Sequence, residues 1–368
     1  MIDLSQNGYT HEEVVGLLSF PHGSRRESYR MDVLRGGVKV TEAEYTRCGI
    51  SCDYNSQVKY SASITLREND LIDWHTDLLR PVMLLEAEGA VFSFPFIPLK
   101  PMTVKRSFRN GMALRQVEAY DETVLLQDNS IGRRLYIPAG KLYTAAIEEI
   151  LRDVGFDSIK LAASDAAFGA DREDWERGDS VFDIVNQLLG EMNYRSLTVG
   201  ADGALTSCKY EAPSAGLVEI VYKADAHSVV LLEQDTELDA FGRANVFIGA
   251  VNNSQMEEAL EYTYRNDSPN SPTSTVRTGR VNTAVKAWDN VADYETLVDN
   301  VRRWAGEETA GYEISTLQTA IMPHHGVREV MAVETKGISG VYWESAWSID
   351  ELRAGGTMTH ELRSVGYD

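Results

Sequence analysis

The sequence predicts a mainly β protein of the α+β class, in which two β-rich regions flank a small α/β unit. Short stretches of alternating apolar and polar residues, separated by Gly, Asn and Pro, fill the chain on both sides of its middle. The middle itself shows the apolar spacing of α-helices. With 368 residues, of which 43% are apolar, the chain is long enough for two or three domains with real cores.

The α/β unit is predicted over residues 136–213. Apolar side chains on one face indicate a helix from Val181 to Met192, which Asp179 or Ser180 can cap. A hairpin follows this helix, with strands over 194–199 and 204–210 and a turn from Gly200 to Gly203. An earlier helix is marked by the positions Ile147, Ile150, Leu151 and Val154, with Gly155 just after its end. An acidic connector, residues 157–179, joins the two helices, and its part 171–179 is predicted to be a solvated loop.

Residues 1–24 are predicted to form an N-terminal arm with a short helix from Thr10 to Leu18. The first β region is predicted over residues 25–135, and residues 214–238 are a candidate completion of it. The candidate strands are 29–34, 38–45, 58–66, 82–87, 91–96, 102–108 and 112–120, and then 217–222 and 228–232. Such even spacing is typical of an antiparallel barrel or sandwich.

The second β region is predicted over residues 239–368, with an inserted helix near 290–306. This helix is indicated by one apolar face, made of Tyr294, Leu297, Val298, Val301 and Trp304. The candidate strands of the region are 245–251, 260–264, 312–320, 327–334, 341–348 and 357–363.

The charge of the chain argues against two classes of partner. The formal net charge is −21, and no run of Lys or Arg interrupts the acidity. Clustered cations are needed to neutralise nucleic-acid phosphates or an anionic membrane surface, so we expect no sequence-specific nucleic-acid binding. No apolar run approaches the ~20 residues of a spanning helix, so no stable membrane insertion is expected. The first residues lack the pattern of a signal peptide, so synthesis in a cytoplasm is expected.

The three cysteines are too few, and odd in number, for a disulfide framework. Cys48 and Cys52 lie four residues apart in an extended stretch, which places them on one side but too far apart to bridge. No further ligands are spaced for a zinc site. We therefore predict that all three, including Cys208, are packed thiols.

No motif of a known catalytic site is present: there is no G-x-S-x-G, no Walker loop and no H-E-x-x-H. Asp225 with His227, or the pair His324–His325, could bind a metal. Neither set has a third ligand at a suitable spacing, so histidines in loops or at the surface are the simpler interpretation. Trp343 and Trp347 share one face of a predicted strand, which favours a barrel core over a sugar-binding platform. No catalytic, cofactor-binding or metal-binding residue is predicted.

The order of several motifs resembles that of the tail hub (baseplate hub) proteins of long-tailed bacteriophages and related contractile injection systems. The matching stretches are Ile72-Asp-Trp74 with Leu79-Arg-Pro81, Val117 to Asp121, Tyr136 to Gly140, Trp175 with Gly178 to Ser180, Asp202-Gly203, Asn245 to Gly249, and Asn266 to Pro272 with Gly279-Arg280. The likeness covers roughly residues 25 to 365. One departure is that Val327-Arg328 follows Gly326 where such hubs often carry a Gly-Asp turn.

The resemblance implies two β-barrel (tudor-like) domains that flank the α/β insertion domain, and a homotrimer whose six similar barrels form a pseudo-sixfold ring. It implies a structural, non-enzymatic virion protein without cofactors, which joins the tail tube or distal tail protein to the tip spike or fibre protein and lets DNA pass. The tape measure protein is a further candidate partner. Two alternatives stay open, a tail-associated cell-wall hydrolase and a carbohydrate-binding adhesion module.

A trimer would carry a formal charge near −63, three times −21, and a DNA conduit offers a reason for this excess. Lysines that face the lumen would hold the passing phosphates. We therefore expect carboxylates to dominate the channel wall, with most basic residues turned outward or paired at subunit contacts.

Overall fold

The computed structural model describes residues 1–19, 25–109, 111–225, 228–251 and 260–365. The α-helices of these ranges are α1 (His11–Ser19), α2 (Val124–Gln127), α3 (Tyr143–Asp153), α4 (Val181–Glu191), α5 (Thr275–Thr278) and α6 (Tyr294–Ala310). None of these helices is both long enough and apolar enough to cross a membrane.

The strands up to the middle of the chain are β1 (Arg26–Arg35), β2 (Val38–Ala43), β3 (Tyr45–Asp53), β4 (Tyr60–Arg67), β5 (Leu78–Ala87), β6 (Ala90–Pro95), β7 (Lys100–Arg109), β8 (Met112–Tyr120), β9 (Leu135–Ile137), β10 (Ile159–Leu161) and β11 (Arg172–Trp175). The later strands are β12 (Thr198–Val199), β13 (Leu205–Ser207), β14 (Ile220–Lys223), β15 (Val230–Leu238), β16 (Val246–Val251), β17 (Glu261–Arg265), β18 (Thr283–Trp288), β19 (Glu313–Ala320), β20 (Val330–Glu334), β21 (Ser339–Ile349) and β22 (Thr357–Ser364). The predicted mainly β class is confirmed.

A ten-stranded sheet, which we call the long sheet, draws its strands from both predicted β regions. Eight of them follow one antiparallel path in the order β15-β19-β22-β21-β3-β4-β8-β7. The other two are β20, which pairs with β21, and β14, which pairs with β20 in parallel. The sequence alternation produces this sheet, because Cys48, Ile50 and Cys52 are buried while Ser51 between them is half-buried. The two β regions are thus continuous where β21 pairs with β3.

The eight-strand path consists of two halves with the same topology. The halves are β3-β4-β8-β7 and β15-β19-β22-β21, and each places its strands in the chain order first, second, fourth, third. The third strand of each half carries a β-bulge, between Pro101 and Thr103 in β7 and between Glu344 and Ala346 in β21. The chain therefore contains a repeated four-strand unit. The closure of each β region into its own barrel stays a prediction.

The N-terminal segment and a second sheet complete the main core. The second sheet has four strands in the order β2-β1-β5-β6, and its Met31, Met83 and Phe92 lie in one buried cluster with the inner side chains of the long sheet. The predicted N-terminal arm packs on the same cluster through Leu4, Val14, Leu17 and Leu18. Because a helix as short as α1 is marginal on its own, most of its stability comes from this packing.

The helix of the α/β insertion forms as predicted, and the hairpin forms with strands, β12 and β13, that are shorter than the predicted 194–199 and 204–210. The Ser180 hydroxyl accepts a hydrogen bond from the backbone N–H of Asp183 and so caps α4. Ile184 and Leu188 are buried in one cluster with the hairpin residues Leu197, Val199 and Leu205. Gly203 has a φ of 84°, which is the backbone conformation that the turn between β12 and β13 requires.

The acidic connector is not the solvated loop that its charges predict. Its residues Arg172–Trp175 form β11, which pairs with β9. Arg172 is buried, and its guanidinium lies 2.9 Å from the buried carboxylate of Glu191 on α4. A buried arginine needs such a partner, and a partner on another element is invisible in the local sequence.

A small sheet with α6 across it forms a satellite core. The sheet has the order β17-β16-β18, and Phe247, Leu297 and Val301 are buried between it and the helix. Asp293 caps α6 by accepting from the N–H of Thr296 at 2.7 Å, and the helix runs four residues beyond Gly306, the predicted end near residue 306. The second β region is thus divided between this unit and the long sheet.

Candidate functional site

The long sheet presents one face to the core and one polar face to its other side. We define the polar face as Ser51, Ser61, Ser63, Thr65, Gln116, Glu118, Thr316, Gln318, Ser348, Thr359 and Glu361, all half-buried or exposed. Its members contact one another across strands, since the hydroxyls of Ser51 and Ser61 lie 2.8 Å apart and that of Ser63 donates to Glu118 at 3.1 Å. The polar face extends over both halves of the path.

Hydroxyl groups rather than charges dominate the polar face. The defined set contains two ionisable residues, Glu118 and Glu361. The same side of the sheet also carries Arg47 opposite Thr65, Lys105 opposite Gln116, and Asp235 opposite Thr316. Arg363 beside it donates to the carboxylate of Glu361 at 3.1 Å, and Arg67 at the end of β4 pairs with Glu44 at 3.0 Å. Arg47 and Lys105 are exposed, so this surface carries both cations and carboxylates and is neither strongly basic nor strongly acidic.

Below the polar face, on the core side of β21 and β22, three ionisable side chains form a buried cluster. Glu344 accepts a hydrogen bond from Nδ1–H of His325 at 2.8 Å and from Nδ1–H of His360 at 2.6 Å. An ionised carboxylate can only accept, so both Nδ1 atoms carry protons. The Nε2 atoms contact hydroxyls, that of Tyr222 at 2.6 Å from His325 and that of Thr319 at 2.8 Å from His360. Every ring nitrogen of the cluster thus has a partner.

The histidines keep Glu344 ionised inside the core. Burial by itself raises the pKa of this carboxyl, but the charge and the hydrogen bonds of His325 and His360 outweigh it and lower the pKa to about 2. Burial lowers the pKa of His360 below its ordinary value. Since a buried carboxylate without donors is costly, the cluster ties β21, β22 and β14 to the segment before β20.

The same three residues are the one group of possible metal ligands in the described ranges, with ligand atoms within 4.8 Å of one another. Their mutual distances of 2.6 and 2.8 Å are those of hydrogen bonds, and hydroxyls engage the remaining nitrogens. The observed contacts are those of a structural hydrogen-bond network.

His324 and His325 lie in the loop between β19 and β20, as predicted, but both are buried rather than at the surface. Burial lowers the pKa of His324 well below its ordinary value. No local pattern marks the cluster, because Glu344 is 19 residues from His325 and lies on β21, whereas His325 lies in a loop. The available signal was alternation, which places Glu344 and His360 among inward-facing positions.

Trp343 and Trp347 are both buried, as predicted for core residues, but they do not share a face. The β-bulge between Glu344 and Ala346 shifts the alternation by one residue. Trp347 therefore packs in the main core, whereas Trp343 packs against Tyr54 in a separate cluster. Neither ring is available to stack on a sugar.

A cleft of about 440 Å³ lies where the α/β insertion, α6 and the end of β22 meet. Arg303 and Arg328 in its wall both lie 4.3 Å from the ring centroid of Tyr210, and Arg303 pairs with Glu307 at 3.2 Å. The arginines thus connect the insertion to α6 and to the segment before β20 through cation–π and ionic contacts.

The remaining sequence candidates lie apart from these sites. Asp225 is exposed just after β14, and His227 lies outside the described residues. Cys48 and Cys52 are buried free thiols, as predicted, whereas Cys208 is exposed. Burial raises the pKa of Cys48 to about 12, so this thiol stays protonated and unreactive.

The chain is similar in structure to several phage tail proteins. The tail protein from Neisseria meningitidis MC58 has a TM-score of 0.64 and 14% identity, over 92% of this chain and 97% of that one. The 43 kDa tail protein of prophage MuSo2 from Shewanella oneidensis has a TM-score of 0.61 and 13% identity, over 91% and 98%. Prophage tail protein gp18 from Listeria monocytogenes EGD-e has a TM-score of 0.56 and 12% identity, over 91% and 94%.

Sequence comparison adds nothing to this, since no family model and no curated protein matches. At such low identities the similarity establishes the fold alone. It covers nine-tenths or more of each chain, which includes the long sheet, the insertion and the sheet–helix unit. The resemblance of the sequence to phage tail hub proteins is confirmed at this level: the chain has the fold of phage tail proteins.

Proposed function

We propose that this chain is a non-enzymatic structural protein of a phage tail, namely a hub that joins the tail tube or distal tail protein to the tip spike or fibre. The observation that carries the proposal is the fold, which it shares with three phage tail proteins over nearly their whole length. The buried positions of Trp343 and Trp347 remove the basis of the adhesion alternative. The hydrolase alternative predicts release of soluble fragments when the purified protein is incubated with bacterial cell walls, and we expect none.

The hub is proposed to be a ring of three copies. Each copy carries the four-strand unit twice, so three copies present six similar units. The six similar units of such a ring suit a sixfold tail tube on one side. Its threefold symmetry suits a threefold tip on the other side. The repeated unit supports this pseudo-sixfold arrangement.

The polar face is proposed as the wall of the channel through which DNA passes. Most of this wall consists of hydroxyl and amide groups, and its cations, such as Arg47 and Lys105, are few. The phosphates therefore meet few fixed counterions, and DNA can slide without being held. The location of the remaining carboxylates relative to the channel stays a prediction.

The ring is tested by the mass of the purified protein in light scattering and by a map of the particle. We expect about 123 kDa, three times the chain mass of 41.0 kDa, and three copies at the tail tip. A single copy in the assembled particle, or a sixfold ring of whole chains, contradicts the proposal.

A further inference from the structure

The eight-strand path of the long sheet ends in two edge strands, β7 and β15. An edge strand presents unpaired backbone N–H and C=O groups, which proteins normally cover or block. Within the described part of the chain no further strand pairs with either edge, and both edges expose large apolar side chains. Phe108 of β7 is 73% exposed, and Leu238 of β15 is 59% exposed. Open edges of this kind are sites of strand addition by a partner.

The chain already contains the junction that these two edges can make. Within the chain, the third strand of one half, β21, pairs antiparallel with the first strand of the other half, β3. The strands β7 and β15 hold the same positions, third and first, at the two ends of the path, where each has a paired strand on one side only. Because the path has eight strands of alternating direction, β7 of one copy runs antiparallel to β15 of the next when the path continues.

The equivalence of the two halves sets the register. On the third strands, Thr103 and Ala346 both follow the bulge, and they face Glu118 and Glu361. These glutamates in turn face Ser63 and Thr316 on the second strands.

Ser63 and Thr316 face Gly49 and Asp235 on the first strands, so Gly49 corresponds to Asp235. Further along the same strands, Ser51 therefore corresponds to Glu237, and Cys52 corresponds to Leu238. Within the chain Trp347 pairs with Cys52 and Ser348 with Ser51. The equivalent pairs between copies are therefore Val104 with Leu238 and Lys105 with Glu237.

The side chains that this register brings together are complementary. Lys105 and Glu237 are exposed and of opposite charge, and directly opposed charges stabilise a strand pair. β15 carries the further acids Glu233 and Asp235, whereas Arg106, which follows Lys105 on β7, is already paired with Glu68 at 2.7 Å. The β15 edge is thus acidic, and it is complementary to Lys105 on β7 rather than to a second β15 edge.

The apolar pair has a buried counterpart within the chain. Cys52 is 2% exposed because β21 covers it, whereas its equivalent Leu238 is 59% exposed. Likewise Trp347 is buried, whereas its equivalent Val104 is half-exposed. A neighbouring copy that continues the sheet removes this apolar surface from water.

We infer that neighbouring copies dock edge to edge, with β7 of one copy pairing antiparallel with β15 of the next and Lys105 opposite Glu237. The inference rests on the proposed trimer and names its contact surface. The two edges differ, so the contact is head-to-tail, and such a contact closes into a ring when the rotation per copy allows it.

Cysteine cross-linking tests the contact and its register. In a chain with the exposed Cys208 replaced by serine, one variant carries Lys105→Cys and another Glu237→Cys. The two variants are mixed, assembled and oxidised. We expect disulfide-linked pairs from the mixture and none from either variant alone. A matched control, Lys105→Cys with Asp235→Cys, lies on the same face but two residues out of register, and we expect at least about fivefold less product because the diagonal distance is ~7–8 Å.

The masses separate the two possible failures. A trimer in light scattering without cross-linking overturns the docking mode and leaves the ring intact. A monomer overturns the ring and the docking mode together. Cross-linking of Lys105→Cys with itself indicates a twofold contact and also overturns the inference. Docking of these edges onto another tail protein instead gives a cross-link to that protein in particles and none between copies.

Charge reversal gives a second readout that does not depend on oxidation. We expect Lys105→Glu and Glu237→Lys each to raise the dissociation constant of the trimer by about tenfold or more, because like charges then face each other. The double variant restores an opposite pair and should return to within about threefold of the unmodified protein. Additive weakening in the double variant contradicts the pairing of these two residues.

Discussion

The carboxylate of Glu344 lies 2.6 Å from Nδ1 of His360, across the two neighbouring strands β21 and β22 in the interior of the protein. This pair and His325 form the polar centre of an otherwise apolar core. Such a network has a directional geometry that apolar packing lacks, so it holds strands of the second half in one arrangement. Its contribution to the stability of the fold can be measured directly.

Replacement of Glu344 by Gln should destabilise the protein strongly. The amide has one acceptor oxygen for two Nδ1–H donors, and its NH₂ group meets one of them, so a buried donor loses its partner. We expect a loss of about 3–5 kcal/mol in the free energy of unfolding, measured by urea denaturation. Glu118→Gln on the polar face is the matched control and should cost less than about 0.5 kcal/mol. Equal effects of the two substitutions contradict a structural role for the cluster.

Acid should weaken the fold through the same cluster. Glu344 has a folded-state pKa of about 2, below its unfolded value, so its stabilising contribution is present above the unfolded pKa and is lost as pH falls toward about 2. The folded-state pKa of His360 is also lowered, so the unfolded chain binds a proton below about pH 6.5 that the folded protein resists. Both effects lower the free energy of unfolding as pH falls.

The measurement for this prediction is a series of urea midpoints between pH 7.5 and pH 4. His360→Leu should flatten the part of the curve just below neutrality, whereas His75→Gln, at an exposed position, should leave the curve unchanged. A stability that rises between pH 7 and pH 5 in the unmodified protein contradicts the assignment.

Local patterns predicted the elements whose signals lie within about ten residues. The capped helix α4, the hairpin after it and the strands β7 and β8 follow from periodicity and turn residues. The strand β18 was not predicted, because its alternation is weak and Lys286 interrupts its apolar residues. The single-residue bulge at Ser345 reversed the expected side of Trp343, and no local pattern marks it.

The pairing of strands that are far apart along the chain could not be predicted from the sequence. The pairing of β21 with β3 joins residues some 300 positions apart, and no pattern within either strand indicates which strand it pairs with. The buried ion pair of Arg172 and Glu191 was not predicted for the same reason, since the two residues lie on different elements. The family resemblance supplied the overall plan, while the repeated order of the four strands in each half became visible only in the pairing.

A charge at Ile184 should disrupt the insertion. This side chain is 2% exposed in the core beneath the hairpin, so Ile184→Asp places an unpaired carboxylate among apolar neighbours. We expect a loss of about 3–5 kcal/mol, seen as a lower thermal midpoint. Ala145→Asp, at an exposed position of α3, carries the same charge and should change the midpoint little. Unchanged melting of Ile184→Asp contradicts the packing of α4.

Two glycines near α6 should respond in opposite directions to alanine. A Cβ at Gly249 would lie 2.2 Å from Cγ2 of Val301 and 2.9 Å from the ring of Trp288, so Gly249→Ala forces the helix away from β16. We expect a loss of about 1–3 kcal/mol. Gly306 lies within α6 and has open space around it, so Gly306→Ala should stabilise the protein by about 0.5–1 kcal/mol. Calorimetry of both variants checks the pair, and a tolerated Gly249→Ala contradicts the close packing.

If the polar face lines the channel, lysines placed there should hold DNA. The triple variant Ser63→Lys, Gln116→Lys and Thr359→Lys puts three cations across both halves of the path. The control variant Val38→Lys, Val40→Lys and Val91→Lys adds the same charge at exposed positions of the four-stranded sheet. Only the first variant should slow DNA release from particles. The delay should shrink as the salt concentration rises, because the logarithm of an affinity for DNA falls with the logarithm of the salt concentration, with a slope of about 0.9 for each phosphate neutralised. Equal delays in both variants contradict the assignment.

Two further substitutions decide which property of the wall matters. Glu118→Gln and Glu361→Gln together remove two carboxylates of the polar face and leave its hydroxyls in place. If a low number of cations is sufficient for DNA to slide, release should keep its normal rate, because no new counterion faces the phosphates. If the carboxylates repel the phosphates and keep the DNA centred, release should slow in this variant and the slowing should disappear at high salt, where such repulsion is screened. The composition of the polar face, with seven hydroxyl side chains and two carboxylates, favours the first outcome. A slow release that salt corrects would show instead that carboxylates dominate the wall, as the net charge of −21 led us to expect.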